Sequence, residues 1–167
     1  LQKEFLNNTI EQYLWVAGVI LTGLLIKRLI SKYFAKVLYR FFSKTSTPLQ
    51  KDTFMQLIIG PLDNFLLVLI LIVSLEKLKL PPALLEFTVY KINIRDILDA
   101  IAHTAFIVVF IRLCIRLVKF MAILLEQKAN LTPDQTDNQL VVFFRDFFKV
   151  LLYIIGFLMI MQFTFHY

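Results

Sequence analysis

Hydrophobic residues fill four long stretches of this chain, and short polar segments separate them. The first stretch, Tyr13–Ile26, carries no charge. A helix needs about 20 apolar residues to cross a hydrocarbon layer about 30 Å thick, so this helix must continue into the residues that follow. A polar run that begins at Ser43 and contains Pro48 ends it. The pattern predicts three further helices: Phe54–Leu75, with Asp52 or Thr53 as its cap, Ile97–Leu125, and about Asn138–Phe163.

Basic residues recur every four positions in Ile26–Lys44, directly after the first apolar stretch. On a helix of 3.6 residues per turn this spacing gives one drifting stripe, here set among aromatic and aliphatic residues. Lysine and arginine side chains can reach lipid phosphates from such a position. The stripe predicts a helix anchored to lipid headgroups. A more specific prediction is that this stripe and a similar set of basic residues in the third helix sense lipid and membrane tension. These residues are Arg28, Lys32, Lys36, Arg40, Arg112, Arg116 and Lys119.

The composition favours a membrane protein. The 167 residues are 59% hydrophobic, with a mean hydropathy of +0.73, which is too apolar for one soluble core of this size. The net charge of +6 lies inside or beside apolar helices, so we expect membrane lipids, and no nucleic acid, as the anionic partner. Cys114 is the single cysteine, which excludes an internal disulfide. Because the first residue is leucine, we expect a processed or excised piece of a longer protein.

The distribution of lysine and arginine predicts an orientation. Eleven of them lie in residues 27–51 and 112–128, around two helix connections, and five lie in the N-terminal segment and residues 76–95. Basic residues favour the cytoplasmic side of a membrane. Both connections are therefore predicted in the cytoplasm, with the N-terminus and residues 76–95 outside.

The two halves of the chain resemble each other. A shift of 85 residues aligns an apolar span, a basic extension, a polar turn with proline, a capping aspartate and a second span. Two transmembrane hairpins also look alike by hydropathy alone, but the coincidence of turn, cap and extension favours a true repeat. The shift superposes Lys27 on Arg112, Asp52 on Asp137, and Leu66–Val68 on Leu151–Tyr153.

These patterns predict an all-α membrane protein with a single transmembrane domain over residues 1–167. Four transmembrane helices form two parallel-repeat helical hairpins with basic extensions on the cytoplasmic side. Hairpin one covers about residues 10–75, an outer connection covers 76–95, and hairpin two covers about 97–163.

Several charged residues are candidates for a site within the helices. The candidates for intramembrane ion pairs are Asp63, Arg145, Asp146 and Lys149. For Asp63, a position at headgroup depth is favoured over a buried ion pair, because charge within the membrane is costly. A metal site is not predicted at Asp96, Asp99 and His103, because three candidate ligands are too few, and His166 is isolated. No phosphate-binding loop, nucleophile elbow or HExxH pair is present, so we predict no catalytic residue, metal or cofactor.

Residues Leu131–Gln162, LTPDQTDNQLVVFFRDFFKVLLYIIGFLMIMQ, resemble the small-conductance mechanosensitive channel family. The likeness lies in a short polar turn with an aspartate, an amphipathic start and an apolar helix ending before the pore segment. The resemblance implies the sensor paddle of a heptameric channel in a bacterial inner membrane, which opens under osmotic stress. The family's pore helix and cytoplasmic domain would follow Tyr167, and the ending QFTFHY departs from the glycine-containing turn expected there.

Two other functions stay open at this point. A small transporter or accessory membrane subunit would bring Asp63, Arg145, Asp146 and Lys149 together in a shared polar cavity. A membrane enzyme acting on lipid would require Asp96, Asp99 and His103 to converge with other polar groups.

Overall fold

The computed structural model describes residues 4–5, 8–42, 48–75, 88–89, 92–129 and 135–165. Its four helices are α1 (Ile10–Phe42), α2 (Pro48–Leu75), α3 (Ile94–Ala129) and α4 (Gln135–Phe165). Two short antiparallel strand pairs precede α1 and α3: β1 (Glu4–Phe5) with β2 (Asn8–Thr9), and β3 (Thr88–Val89) with β4 (Ile92–Asn93). The sequence patterns did not predict these strands, and much of the predicted connection over residues 76–95 lies outside the described residues.

Local chemistry explains where α1 and α2 begin. The Thr9 backbone N–H donates to Gln12 Oε1 at 2.9 Å and the Gln12 N–H donates to Thr9 Oγ1 at 3.3 Å, which forms a capping box. The prediction that Asp52 or Thr53 caps the second helix is wrong, since both lie inside α2. Pro48 starts this helix because a first-turn residue needs no intrahelical N–H bond and proline already has helical φ.

Consecutive helices are packed antiparallel. Tyr39 near the end of α1 contacts Phe54 near the start of α2, with ring centroids 5.5 Å apart. At the other end of this pair, Gly23 faces Ile70 so closely that a Cβ would lie 2.8 Å from its side chain. The end of α1 therefore lies beside the start of α2.

The same arrangement continues through α3 and α4. Phe54 also contacts Phe120 of α3 at 4.5 Å. Farther along, Phe65 of α2 lies 5.4 Å from Phe106. Gly156 of α4 packs against Ile111 of α3, and the chief contacts of the layer thus run from α1 to α2, to α3 and to α4. The ends of α1 and α3 lie beside the starts of α2 and α4, at what we call the basic end.

The buried core lies where α1, α2 and α3 meet. Phe54 and Ile58 of α2 are fully buried, and Phe120 of α3 is 1% exposed. Ala35 of α1 is also fully buried, because its small side chain lets the neighbouring helix approach. Among the described residues, α4 contributes none to this cluster, and its chief neighbour is α3.

Large apolar side chains cover the outer faces of α1 and α4. Leu25 is 80% exposed and Phe157 is 62% exposed, and Phe143, Phe147 and Tyr153 are similarly uncovered. Apolar surface this extensive requires lipid or other protein around it, because monomeric proteins in water rarely expose such large apolar patches.

Two segments among the described residues are long and apolar enough to cross a membrane, Ile10–Arg40 and Asp52–Leu75. Only 11% and 17% of the apolar 18-residue window in each segment is buried within the protein, whereas the core helix of a soluble protein is mostly buried. The described part of the chain is helical apart from the two short strand pairs.

Candidate functional site

A groove of about 660 Å³ lies between α3 and α4. Its cationic lining residues are Arg112, Arg116 and Lys119 of α3 together with Lys149 of α4. The remaining lining is mainly aliphatic and aromatic, including Ile107 of α3. This groove therefore combines several cations with an apolar surface.

The antiparallel packing gives the groove two chemically different halves. The half nearer the basic end contains the residues from Arg112 to Lys119 of α3, together with Lys149 near the start of α4. Away from the basic end, Ile107 and Ile160 line the groove and leave it without charge. The lining thus changes from cationic to apolar along the helix axes, which suits an amphipathic anion.

The shape of the groove depends on Gly156. A Cβ at this position would lie 2.9 Å from Cγ1 of Ile111, so α3 contacts the α4 backbone here. This close contact brings the two walls together and places the larger side chains of Tyr153 and Phe157 along the rim.

An ion-pair group adjoins the groove on α4. Arg145 Nε and Nη2 donate to the two carboxylate oxygens of Asp146 at 3.0 and 3.2 Å. Lys149 Nζ donates to Asp146 Oδ1 at 3.0 Å. Asp146 therefore pairs with both basic residues and neutralises part of their positive charge.

The three basic residues of α3 have no such compensation. Within the part of the chain that the structure describes, no carboxylate forms an ion pair with Arg112, Arg116 or Lys119. Arg116 is half-buried, whereas Arg112 and Lys119 are exposed. Their uncompensated charge faces the groove and attracts anions.

The basic stripe on α1 has different surroundings. Arg28, Lys32, Lys36 and Arg40 are all exposed, with exposed apolar neighbours such as Leu29. The chief neighbour of α1 is α2, and these residues do not line the groove. The structure therefore separates the two basic sets that the sequence analysis grouped by function.

The sequence analysis missed the position of Lys149 in the groove. The sequence suggested an ion pair or a transporter cavity for this residue, and the pairing of α3 with α4 was needed to place it with Arg116 and Lys119. The sequence did contain a clue, because two consecutive helices joined by a short connection pack antiparallel. This packing places the residues at the start of α4 beside those near the end of α3.

Asp63 does not join the other predicted intramembrane charges. One of its carboxylate oxygens is buried and accepts no hydrogen bond from any described residue. No ion pair links it to Arg28 or to the α4 group among the described residues. The hydroxyl of fully buried Ser31 also lacks a partner in this part of the chain.

The polar residues at the start of α3 form ordinary helix-end contacts. Arg95 Nε lies 4.0 Å from Asp99 Oδ2, and both side chains are largely exposed. His103 Nδ1 donates to the Asp99 backbone carbonyl at 2.7 Å, and its ring stacks on Phe163 of α4 with centroids 5.6 Å apart. No group of three or more metal-ligating side chains occurs within the described residues, and His166 lies outside them.

Comparison with protein-family models, curated proteins and solved structures finds no match.

Proposed function

We propose that this chain is the membrane-tension-sensing transmembrane paddle of a mechanosensitive ion channel that releases solutes on osmotic downshock. The observation that carries the proposal is the layer of four antiparallel helices, with exposed apolar outer faces and basic residues gathered toward one end. A paddle of this kind has lipid contact along its length and headgroup contact at its basic end, so membrane forces act on both.

In the proposed arrangement all four helices cross the bacterial inner membrane as two hairpins of a parallel repeat. The basic end lies at the cytoplasmic headgroups, and the N-terminus and residues 76–95 lie outside. The excess of lysine and arginine around the two helix connections supports this orientation. The α1 stripe then runs through or along the inner headgroup layer, where its side chains contact phosphates.

The proposed mechanism is a shift between two conformations with different in-plane areas. Tension favours the larger conformation by the product of the tension and the difference in area. Lipids between the helices favour the closed conformation when they bind it more tightly, and their loss favours opening. The paddles of several subunits, seven by the family resemblance, would surround a pore built from residues beyond this chain.

Osmotic downshock tests the proposed function in cells. The complete protein, expressed in bacteria without other tension-gated channels, should restore survival after a sudden fall in external osmolarity. Survival equal to that of cells carrying an empty vector, with the protein detected in the inner membrane, would reject the proposed function.

Cysteine labelling tests the orientation separately. In a Cys114→Ser background, a membrane-impermeant maleimide should label Glu11→Cys in cells whose inner membrane is intact. Lys44→Cys should be labelled only after the membrane is permeabilised. The reverse pattern would overturn the orientation without bearing on conduction.

The transporter alternative draws no support from the side-chain contacts. It requires Asp63 to face the charged group of α4, but Asp63 has no ion-pair partner among the described residues and the α4 group pairs within its own helix.

A further inference from the structure

We propose that the groove between α3 and α4 binds one acidic phospholipid and selects it over a zwitterionic one. The phosphate and acidic headgroup contact Arg116, Lys119 and Lys149, and one acyl chain lies against Ile107 and Ile160. This inference rests on the proposed membrane placement but not on ion conduction.

Charge determines the headgroup preference. Four cationic side chains line one half of the groove, and among the described residues Asp146 forms ion pairs with Lys149 and the neighbouring Arg145 but not with the three cations of α3. Like charges that line one groove repel each other, and the apolar lining weakens the screening by water. A headgroup with a net negative charge relieves this repulsion, whereas a zwitterionic headgroup brings its own cation into the same space.

The apolar half of the groove makes the ligand a lipid rather than a free phosphate. From Ile107 to Lys119 the groove follows α3 over about 18 Å, at 1.5 Å per residue. One leaflet of the hydrocarbon layer is about 15 Å thick, which is half of the usual total. An acyl chain can therefore cover the exposed side chains of Val108 and Phe157 while its headgroup stays at the cationic half.

The two walls distinguish this groove from the stripe on α1. Cations from both α3 and α4 converge on the groove, so a bound headgroup is contacted from two sides. Lys32 and Lys36 lie on a single exposed helix face, where they attract acidic lipids in general without enclosing one. Removal of the groove cations should therefore abolish selectivity, while removal of the stripe cations should leave it intact.

Tryptophan quenching by brominated lipids measures the occupant directly. The complete protein, with Trp15→Phe and other tryptophans outside the paddle replaced, receives Tyr153→Trp as a reporter at the groove rim. It is reconstituted into vesicles of phosphatidylglycerol and phosphatidylcholine, with bromine on the chains of one lipid at a time. We expect brominated phosphatidylglycerol to quench the tryptophan fluorescence more than its fraction of the vesicle lipid predicts. Brominated phosphatidylcholine should quench it less than its fraction predicts.

Paired variants assign the preference to the groove. Arg116→Gln with Lys119→Gln should reduce the preference about fivefold for each basic residue removed. Arg116→Lys with Lys119→Arg keeps the charge and should keep the preference, and Lys32→Gln with Lys36→Gln should leave it unchanged. If the neutral groove variant does not fold, Lys149→Gln with Arg112→Gln serves the same purpose.

Three outcomes would overturn the proposal. Quenching by the two lipids in proportion to their amounts would show that the groove holds bulk lipid without selection. An equal loss of preference in the α1 variant would assign it to general surface charge. Displacement of the brominated lipid by inorganic phosphate would mean that the apolar half does not hold a chain. Selective quenching by a protein that fails the downshock test would retain the lipid site and reject the channel.

Discussion

The basic stretches of α1 and α3 have almost the same spacing in the sequence but different surroundings in the structure. On α1, Lys32 and Lys36 lie on an exposed face. On α3, Arg116 and Lys119 line a groove whose second wall is α4, and Lys149 adds a cation from that wall. Spacing along one helix predicts a basic face, whereas a neighbouring helix determines whether that face becomes a site.

The largest expected effect concerns the core that joins α1, α2 and α3. Phe54→Ala should lower the free energy of unfolding by about 3–5 kcal/mol, because it removes a fully buried ring packed against Tyr39 and Phe120. Phe157→Ala at the groove rim is the matched control and should cost much less, since that ring is 62% exposed. Thermal unfolding in detergent measures both, and equal losses would contradict the assignment of the core.

The α1 stripe offers the next largest effect. Replacing Lys32, Lys36 and Arg40 together by glutamine should remove up to about 3 kcal/mol of attraction to acidic headgroups, at about 1 kcal/mol per residue. In the complete protein we expect a changed tension threshold and an unchanged single-channel conductance, because the stripe contacts lipid and not the pore. A threshold equal to that of the unmodified protein would leave these residues as topology signals only.

A smaller effect is expected at the contact between α3 and α4. Gly156→Ala would place its Cβ 2.9 Å from Ile111, and the shift needed to relieve this contact should cost about 1–3 kcal/mol. Gly18→Ala meets no atom within 4 Å and should be neutral or stabilising by up to about 1 kcal/mol. Unfolding in detergent distinguishes the two, and the preference for acidic lipid should fall only in the Gly156 variant.

The smallest change is expected from Asp146→Asn. Because Asp146 is 53% exposed on the surface of α4, the loss of its ion pairs with Arg145 and Lys149 should barely alter unfolding. The freed Lys149 should strengthen the preference for acidic lipid in the quenching experiment. A weaker preference would mean that Asp146 orients Lys149 for binding rather than competing for its charge.

Much of the fold was accessible from the sequence, and the site much less so. Hydrophobic stretches and polar turns gave four helices, and α1 ends within a residue of the predicted Ser43. The start of α2 was misplaced because a proline at the first helical position looks like a helix breaker when only its neighbours are considered.

The groove was not predictable because it depends on contacts between helices. Arg112, Arg116 and Lys119 were identified by spacing, but their meeting with Lys149 requires the close contact at Gly156. The ion pair considered for Asp63 is absent among the described residues. It was not predictable, because periodicity shows on which face of a helix a residue lies and not how far it is from a partner.

Patch-clamp recording under suction tests the central claim most directly. In membrane patches that contain the complete protein and no other tension-gated channel, we expect stepwise single-channel currents that appear above a reproducible suction and disappear on its release. Patches in which the protein is verified but suction evokes no current would contradict the proposal that this chain is a tension-sensing paddle.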